Sequence, residues 1–182
     1  MSDTITTTGL GVLPHQAYAE AVANIDGPGG HRAPDDWYTD HVAGELTIQL
    51  WYRRTEPRPA TASEAASMPA DQLVPAQYDA HGARTAPAML SPLVDAEHWP
   101  WGLTVAWGEK EGWLWTALVN EDSEITPWSW EPLPVPLLAS PEALHAALAP
   151  LFAGQVDDLP AQTDEWSPRR PDALADRLAN RR

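Results

Sequence analysis

The chain has 182 residues, no Cys, 19 Pro and 10 Trp, and its formal net charge is −15. This length fits one domain with appendages, and the lack of Cys excludes disulfides, thiolate zinc sites, iron–sulfur ligation and Cys nucleophiles. The sequence has no apolar run of the roughly 20 residues that a membrane-spanning helix needs, and no signal-peptide pattern. We therefore expect a soluble, cytoplasmic protein without a membrane partner.

The large aliphatic side chains are too few to build an ordinary core. Leu, Ile, Val and Phe together number 33 of 182 residues, and such a share with a high net charge is typical of disorder. Trp argues the other way, because each indole buries about 150–250 Å², worth roughly 4–6 kcal/mol at about 25 cal/mol/Å². The composition predicts a small folded core built on Trp.

Charge is distributed unevenly along the chain. Residues 167–182 carry five Arg and two Asp, a formal charge of +3, which leaves −18 on the rest. A strongly acidic body repels nucleic acid and anionic membranes and attracts basic surfaces. Direct nucleic-acid binding is therefore not expected, while a basic protein is a suitable partner.

The N-terminal part of the chain predicts a flexible end followed by a helix. Residues 1–11 are Thr-rich and aperiodic, as in a loose terminus. A helix is predicted over 14–25, because Pro14 suits the first turn and an apolar stripe follows. The stripe consists of Tyr18, Ala21, Val22 and Ile25.

Strands and a long insertion come next. A short strand is predicted at 36–38, and a second at 45–52, where apolar and polar residues alternate with a period of two. This alternation places Trp51 on the polar side. Residues 53–92 hold six Pro and no lasting apolar period, which predicts a flexible insertion with at most a helical turn near 63–67. An ordered functional flap is the alternative.

The clearest pattern is a β-hairpin made from 101–107 and 113–119, joined by the Gly-bounded loop 108–112. Placing Trp107 opposite Trp113 fixes the register and gives the hairpin one bulky aromatic face and one face of small residues. The other pairs expected on the aromatic face are Val105 with Trp115, Leu103 with Ala117 and Trp101 with Val119.

The C-terminal part predicts an extended segment and two helices. Alternating Pro in 127–136 excludes a central strand. A helix is predicted over 140–153, with Ser140 as N-cap and Pro141 and Glu142 in the first turn. Residues 155–182 are expected to form a linker and a short basic helix at 171–180.

These elements together predict an α+β fold. The expected arrangement is a two-layer sandwich in which a mainly antiparallel sheet of three to five strands carries helices 14–25 and 140–153 on its aromatic face. The single domain spans 12–154 and includes the insertion.

One mixed cluster could bind a divalent metal. The pattern His31, Asp35, Asp36, Asp40, His41 offers nitrogen and oxygen ligands if the loop folds back. The candidate ligands are His31, Asp36, Asp40 and His41, although such residues more often lie solvated in a loop.

No other motif predicts catalysis or a cofactor. The chain lacks a Gly-x-Ser-x-Gly elbow, and the Gly27-Pro28-Gly29-Gly30 turn has no following Lys and loses a donor at Pro28. We therefore predict no catalytic residue and no cofactor.

Several Trp could instead form a binding surface. Trp51 and the extended segment around Trp128 and Trp130 lie outside the predicted core, so their exposure is an open alternative to burial. A groove formed with Trp99 and Trp101 is a further possibility. Together with nearby acids, the candidate partner-binding residues are Trp51, Trp128, Trp130, Glu121, Asp122 and Glu124.

The order of elements resembles small actinomycete proteins of uncharacterised domain-of-unknown-function families. The resemblance covers about 12–52 and 93–154 and depends on the Trp hairpin Leu-Thr-Val-Ala-Trp-Gly-Glu-Lys-Glu-Gly-Trp and the Ser-Pro-Glu-Ala-Leu helix start. A GC-rich genome is consistent with high Ala, Pro and Arg beside a single Lys. The resemblance implies a small Trp-containing α+β protein, and it implies neither a catalytic residue nor a function.

The preferred hypothesis is a non-enzymatic acidic protein that binds a basic protein partner, as an immunity protein, inhibitor or chaperone would. The first alternative is a metal-dependent or small-molecule enzyme that uses the His31 to His41 cluster under a flap formed by 53–92. The second alternative is a nucleic-acid mimic whose spaced carboxylates occupy a DNA-binding protein.

Overall fold

The computed structural model describes residues 14–25, 32–53, 55–67, 73–126, 129–157, 159–167 and 174. Within them the chain has an α+β fold with antiparallel strand pairs. The helices are α1 (Gln16–Ala23), α2 (Ala62–Ser67) and α3 (Pro141–Phe152). The strands are β1 (Asp36–Val42), β2 (Glu45–Tyr52), β3 (Arg58–Pro59), β4 (Leu73–Val74), β5 (Gln77–Tyr78), β6 (Arg84–Ala86), β7 (Met89–Leu90), β8 (Leu103–Gly108), β9 (Gly112–Ala117) and β10 (Glu131–Pro132).

The main sheet has five strands in the order β1-β2-β8-β9-β10. A two-residue turn joins β1 to β2, and both of its residues have positive φ, 51° at Ala43 and 85° at Gly44. This is the type I′ geometry whose twist matches that of the strands it connects. The strand predicted at 36–38 therefore continues to Val42.

The hairpin register is confirmed, with Trp107 opposite Trp113 and Val105 opposite Trp115. The position predicted for Trp101 is wrong. Gly102 has a φ of +90°, so the strand begins only at Leu103 and the alternation does not extend back to Trp101. Its side chain is 44% exposed, and Val119, its expected partner, is exposed as well.

The core combines inward-facing strand residues with both longer helices. Tyr18 of α1 contacts the rings of Trp107 and Trp113, with centroids 6.0 and 6.1 Å apart. Phe152 of α3 lies 4.8 Å from the ring of Tyr52 on the same side of the sheet. Buried indole N–H groups need acceptors, and Trp107 Nε1 donates to the Leu137 carbonyl at 2.7 Å.

The helix ends follow from local sequence. Ser140 Oγ accepts a hydrogen bond from the Ala143 N–H at 3.1 Å, which confirms it as the N-cap of α3. Pro150 lies inside this helix without ending it. Gly154, with a φ of +76°, supplies the left-handed residue that closes it. In α1 the buried face contains Ala19 and Ala23, where Ala21 and Ile25 were predicted. Tyr18 and Val22 complete that face.

The insertion 53–92 contains short elements. Strands β3, β7 and β4 form one small sheet, and β5 pairs with β6. The helical turn predicted near 63–67 corresponds to α2. Leu90 is fully buried, which anchors the far end of the insertion. Flexibility of this segment stays a prediction.

Both predicted chain ends fall largely outside the described residues. Residues 1–11 are not among them, and of the helix predicted at 171–180 only Leu174 is, where it is buried against the core. None of the helices in the described ranges is long and apolar enough to cross a membrane.

Candidate interaction surface

One face of the main sheet lies opposite the core residues Leu46, Ile48 and Leu50, and we call it the outer face. Successive strand residues point to opposite sides. Leu46, Ile48 and Leu50 lie in the core, so their neighbours in β2 point outward. With the strand registers, this places the following residues on the outer face: Asp36, Tyr38 and Asp40 of β1; Thr47, Gln49 and Trp51 of β2; Thr104 and Ala106 of β8; Leu114 and Thr116 of β9.

An aromatic pair with a cation occupies one end of the outer face. The rings of Tyr38 and Trp51 lie 5.1 Å apart with an interplanar angle of 39°. The guanidinium carbon of Arg53 lies 5.8 Å from the Trp51 ring centroid, within the range of a cation–π contact. The main-chain N–H of Arg53 donates to Asp35 Oδ2 at 2.6 Å. Trp51 therefore already holds a cation from its own chain.

A chain of hydrogen bonds holds these side chains in place. The Tyr38 hydroxyl donates to Gln49 Oε1 at 2.7 Å. Gln49 Nε2 donates to Thr104 Oγ1 at 3.3 Å, and Thr104 Oγ1 donates to the Leu50 carbonyl at 3.0 Å. Partial burial, and then the Asp40 charge, raise the pKa of Tyr38. Both effects favour the neutral phenol, which donates this hydrogen bond.

Carboxylates on the outer face differ in whether they bind a main-chain N–H or a cationic side chain. Asp36 and Asp40 are exposed on β1, and Oδ1 of each accepts from the N–H of the next residue, at 2.9 and 2.7 Å. Glu45 instead pairs with Lys110 at 3.1 Å, and hydrogen bonding from Lys110 is the main cause that lowers the pKa of Glu45. Lys110 is the single Lys of the chain.

The structure brings only part of the sequence-predicted surface together. Trp51 is half-buried on the outer face, as its parity predicted. Trp130 is half-buried one residue before β10. The Ser129 hydroxyl beside it hydrogen-bonds Thr116 Oγ1, so this segment covers Thr116 at its end of the face. Trp128 lies outside the described residues.

The acidic residues after β9 form an exposed turn. Asn120 Oδ1 accepts from the N–H groups of Asp122 and Glu124, and Asn120 Nδ2 donates to Glu124 Oε2 at 2.7 Å. Glu121 is also exposed. These acids add negative potential near the strand end, and no described contact joins them to Trp51.

Sequence reasoning missed Tyr38, Gln49 and Arg53. The Ala43-Gly44 pair between two alternating segments was the available signal. A two-residue turn there fixes the register and places Tyr38 opposite Gln49.

The described members of the predicted metal set do not converge. Asp36 and Asp40 lie four positions apart on β1, about 13 Å at roughly 3.3 Å per residue, and His41 points to the other side of the strand. His31 lies outside the described residues. Among the residues that are described, no group of three potential ligands is close enough to hold a metal ion.

A separate concavity of about 340 Å³ lies beside the C-terminal half of α3, lined by residues that include Arg32, Asp95, His145 and Phe152. Its polar groups are engaged within the chain. Asp95 Oδ2 lies 2.6 Å from His98 Nδ1, which is the main cause that lowers the pKa of Asp95, and His145 Nε2 donates to the Val22 carbonyl. None of the predicted site residues lines this concavity.

Comparison with protein-family models, with curated proteins and with solved structures found no match. The resemblance to domain-of-unknown-function families therefore stays a prediction.

Proposed function

We propose that this protein is a non-enzymatic acidic binding or regulatory protein that engages a basic protein partner through the outer face, as an immunity protein, inhibitor or chaperone does. The observation that carries the proposal is the Arg53 guanidinium on Trp51, beside Tyr38. A surface that accommodates its own cation has the geometry and the ring electrostatics to accept one from a partner.

The charge of the chain supports the same class of partner. A net charge of −15 accelerates the approach of a basic surface and makes association sensitive to salt. Asp36 and Asp40 flank Tyr38 on the exposed strand, so cationic side chains that reach the aromatic pair also meet two carboxylates. Such complementarity selects the sign of the partner more than it sets its affinity.

We infer a two-layer sandwich in which α1 and α3 cover one face of the main sheet and leave the β1 end of the outer face, where Asp36, Tyr38 and Asp40 are exposed, for the partner. The ring contacts of Tyr18 with Trp107 and of Phe152 with Tyr52, on one side of the sheet, support it.

A titration with an oligo-arginine peptide tests the proposal, with intrinsic Trp fluorescence and NMR chemical shifts as readouts. Any acidic protein attracts such a peptide, so the comparison of variants decides. Loss of a cation–π contact costs about 0.5–2 kcal/mol. Trp51→Leu and Tyr38→Ala should therefore weaken binding by roughly two- to thirtyfold.

The matched control is Tyr78→Ala, because Tyr78 is 63% exposed against 47% for Tyr38 and lies on β5, outside the main sheet. It should bind as the unaltered protein does. Equal affinities for Tyr38→Ala, Trp51→Leu and Tyr78→Ala would refute a role for the outer face.

A further inference from the structure

Within the described part of the chain, one edge of β1 is unpaired and lies next to the outer face. Among the residues that the structure describes, β1 is the terminal strand of the main sheet and pairs with β2 alone. A strand at the edge of a sheet presents unpaired main-chain donors and acceptors to any chain that can pair with them.

The hydrogen bonds of β2 show which of its main-chain groups face β8 and which face β1. The Glu109 N–H donates to the Leu46 carbonyl at 3.1 Å, and the Leu46 N–H donates to Glu109 Oε2 at 3.1 Å. The main chain of Leu46 therefore faces the β8 side. Because main-chain direction alternates along a strand, odd-numbered residues of β2 face β1, and the Trp51 carbonyl indeed accepts from Asp35 on that side.

The strand register shows which residues of β1 bond to β2. Odd residues of β2 lie opposite Asp36, Tyr38 and Asp40, so these three bond inward to β2. Their neighbours consequently turn N–H and C=O groups to the free edge. These neighbours are Trp37, Thr39 and His41.

Two of the three edge donors are masked by carboxylates. Asp36 Oδ1 accepts from the Trp37 N–H at 2.9 Å, and Asp40 Oδ1 accepts from the His41 N–H at 2.7 Å. The masking groups are exposed and negatively charged. An approaching strand must draw both carboxylates away from the backbone before it can pair along the whole edge, which blunts the edge towards neutral chains.

We propose that the free edge of β1 receives an extended basic segment of the partner as an added strand, whose cationic side chains attract the carboxylates of Asp36 and Asp40 off the edge N–H groups. The inference rests on the proposed function, since it names how the basic partner is held. Main-chain pairing then supplies affinity and the carboxylates supply specificity.

Charge favours this occupant over a second copy of the chain. Pairing of two β1 edges would place Asp36 and Asp40 of both copies along one seam, and like charges facing each other across strands are destabilising. A segment with Lys or Arg at alternate positions places cations on the outer face beside the same two carboxylates. The single occupant that satisfies both the backbone and the charges is a basic strand.

The test compares two synthetic peptides of identical sequence that alternate Lys with Val or Thr. One has an ordinary backbone, and the other carries N-methyl groups on the alternate residues whose N–H would pair with β1. Methylation removes main-chain donors and leaves charge and side chains intact. Loss of at least two hydrogen bonds at about 0.5–1.5 kcal/mol each should weaken binding about fivefold or more.

Amide hydrogen exchange gives the direct readout. The ordinary peptide should protect the Thr39 amide, and the methylated one should not. Asp36→Asn with Asp40→Asn should weaken binding of the ordinary peptide, whereas Asp157→Asn, a change at an exposed acid outside the sheet, should not.

The outcomes separate the two proposals. Equal binding of both peptides that still depends on Trp51 would overturn strand addition and leave the proposed function standing. Peptide binding that depends on neither Trp51 nor the methyl groups would overturn both. Dimerisation of the peptide-free protein through β1, seen as concentration-dependent sedimentation with Thr39 protection, would identify a second copy as the occupant and overturn the inference.

Discussion

Tyr18→Phe removes one buried oxygen that joins α1 to the rest of the core. The Tyr18 hydroxyl donates to the Ala139 carbonyl at 2.9 Å and accepts from Trp113 Nε1 at 3.0 Å. Phe keeps the ring contacts with both Trp but leaves two buried polar groups without this partner. Each such group costs about 1–3 kcal/mol, so we expect a loss of about 2–6 kcal/mol in the free energy of unfolding.

The pH dependence provides a second, independent signature. Burial raises the pKa of Tyr18 above its ordinary value, and the Trp113 hydrogen bond offsets only part of this. A group whose pKa is raised on folding stabilises fully below its unfolded pKa, about 10 for Tyr. That stability is lost as the pH rises above 10. In Tyr18→Phe this component of the alkaline loss should disappear.

Urea denaturation at pH 7 and at a series of values above 9 measures both effects. Thermal denaturation at pH 7 should show a Tm lower by about 4–24 °C, at roughly 2–4 °C per kcal/mol for a chain of this size. Tyr38→Phe is the control, because its hydroxyl donates to Gln49 on the outer face and should cost less than about 1 kcal/mol. A Tyr18→Phe variant as stable as Tyr38→Phe would refute the buried network.

Other substitutions test the turns and the core. Gly154→Ala forces Ala into a left-handed conformation, which costs about 1–2 kcal/mol of stability, and places its Cβ against the His98 ring. In a double-mutant cycle, His98→Ala should recover part of this lost stability. Strictly additive effects of the two substitutions would contradict the contact. Ala43→Asn should raise the unfolding free energy by roughly 0.5 kcal/mol, since Asn-Gly suits a type I′ turn; a lower Tm would argue against that turn. Trp107→Ala should cost about 3–5 kcal/mol and Trp101→Ala much less, and equal losses in urea denaturation would restore Trp101 to the core.

The sequence was most informative where side-chain size and strand period agree. Four large indoles around a Gly-bounded loop allow one hairpin register, which the structure confirms for Trp107 and Trp113. The prediction failed at Trp101 because the left-handed Gly102 stops the strand from extending back beyond Leu103. Periodicity alone does not reveal backbone φ. It also stopped β1 too early, since an exposed edge strand carries few of the apolar residues that mark a strand.

The candidate surface could be predicted only in part for a similar reason. Parity along β2 was enough to place Trp51 on the polar side. Its contact with Tyr38 needs the pairing of β1 with β2, and the cation on its ring comes from Arg53, two positions along the chain. Such cross-strand neighbours follow from register, which alternation within one strand does not determine.

The insertion 53–92 between β2 and β8 has a consequence for how the chain folds. These strands pair directly, Tyr52 with Leu103, although the whole insertion lies between them. The hairpins β1-β2 and β8-β9 close through short turns and can form on the microsecond scale, whereas uniting them requires closure of the long segment. Because closure entropy grows only logarithmically with length, trimming exposed insertion residues should change the refolding rate more than the stability.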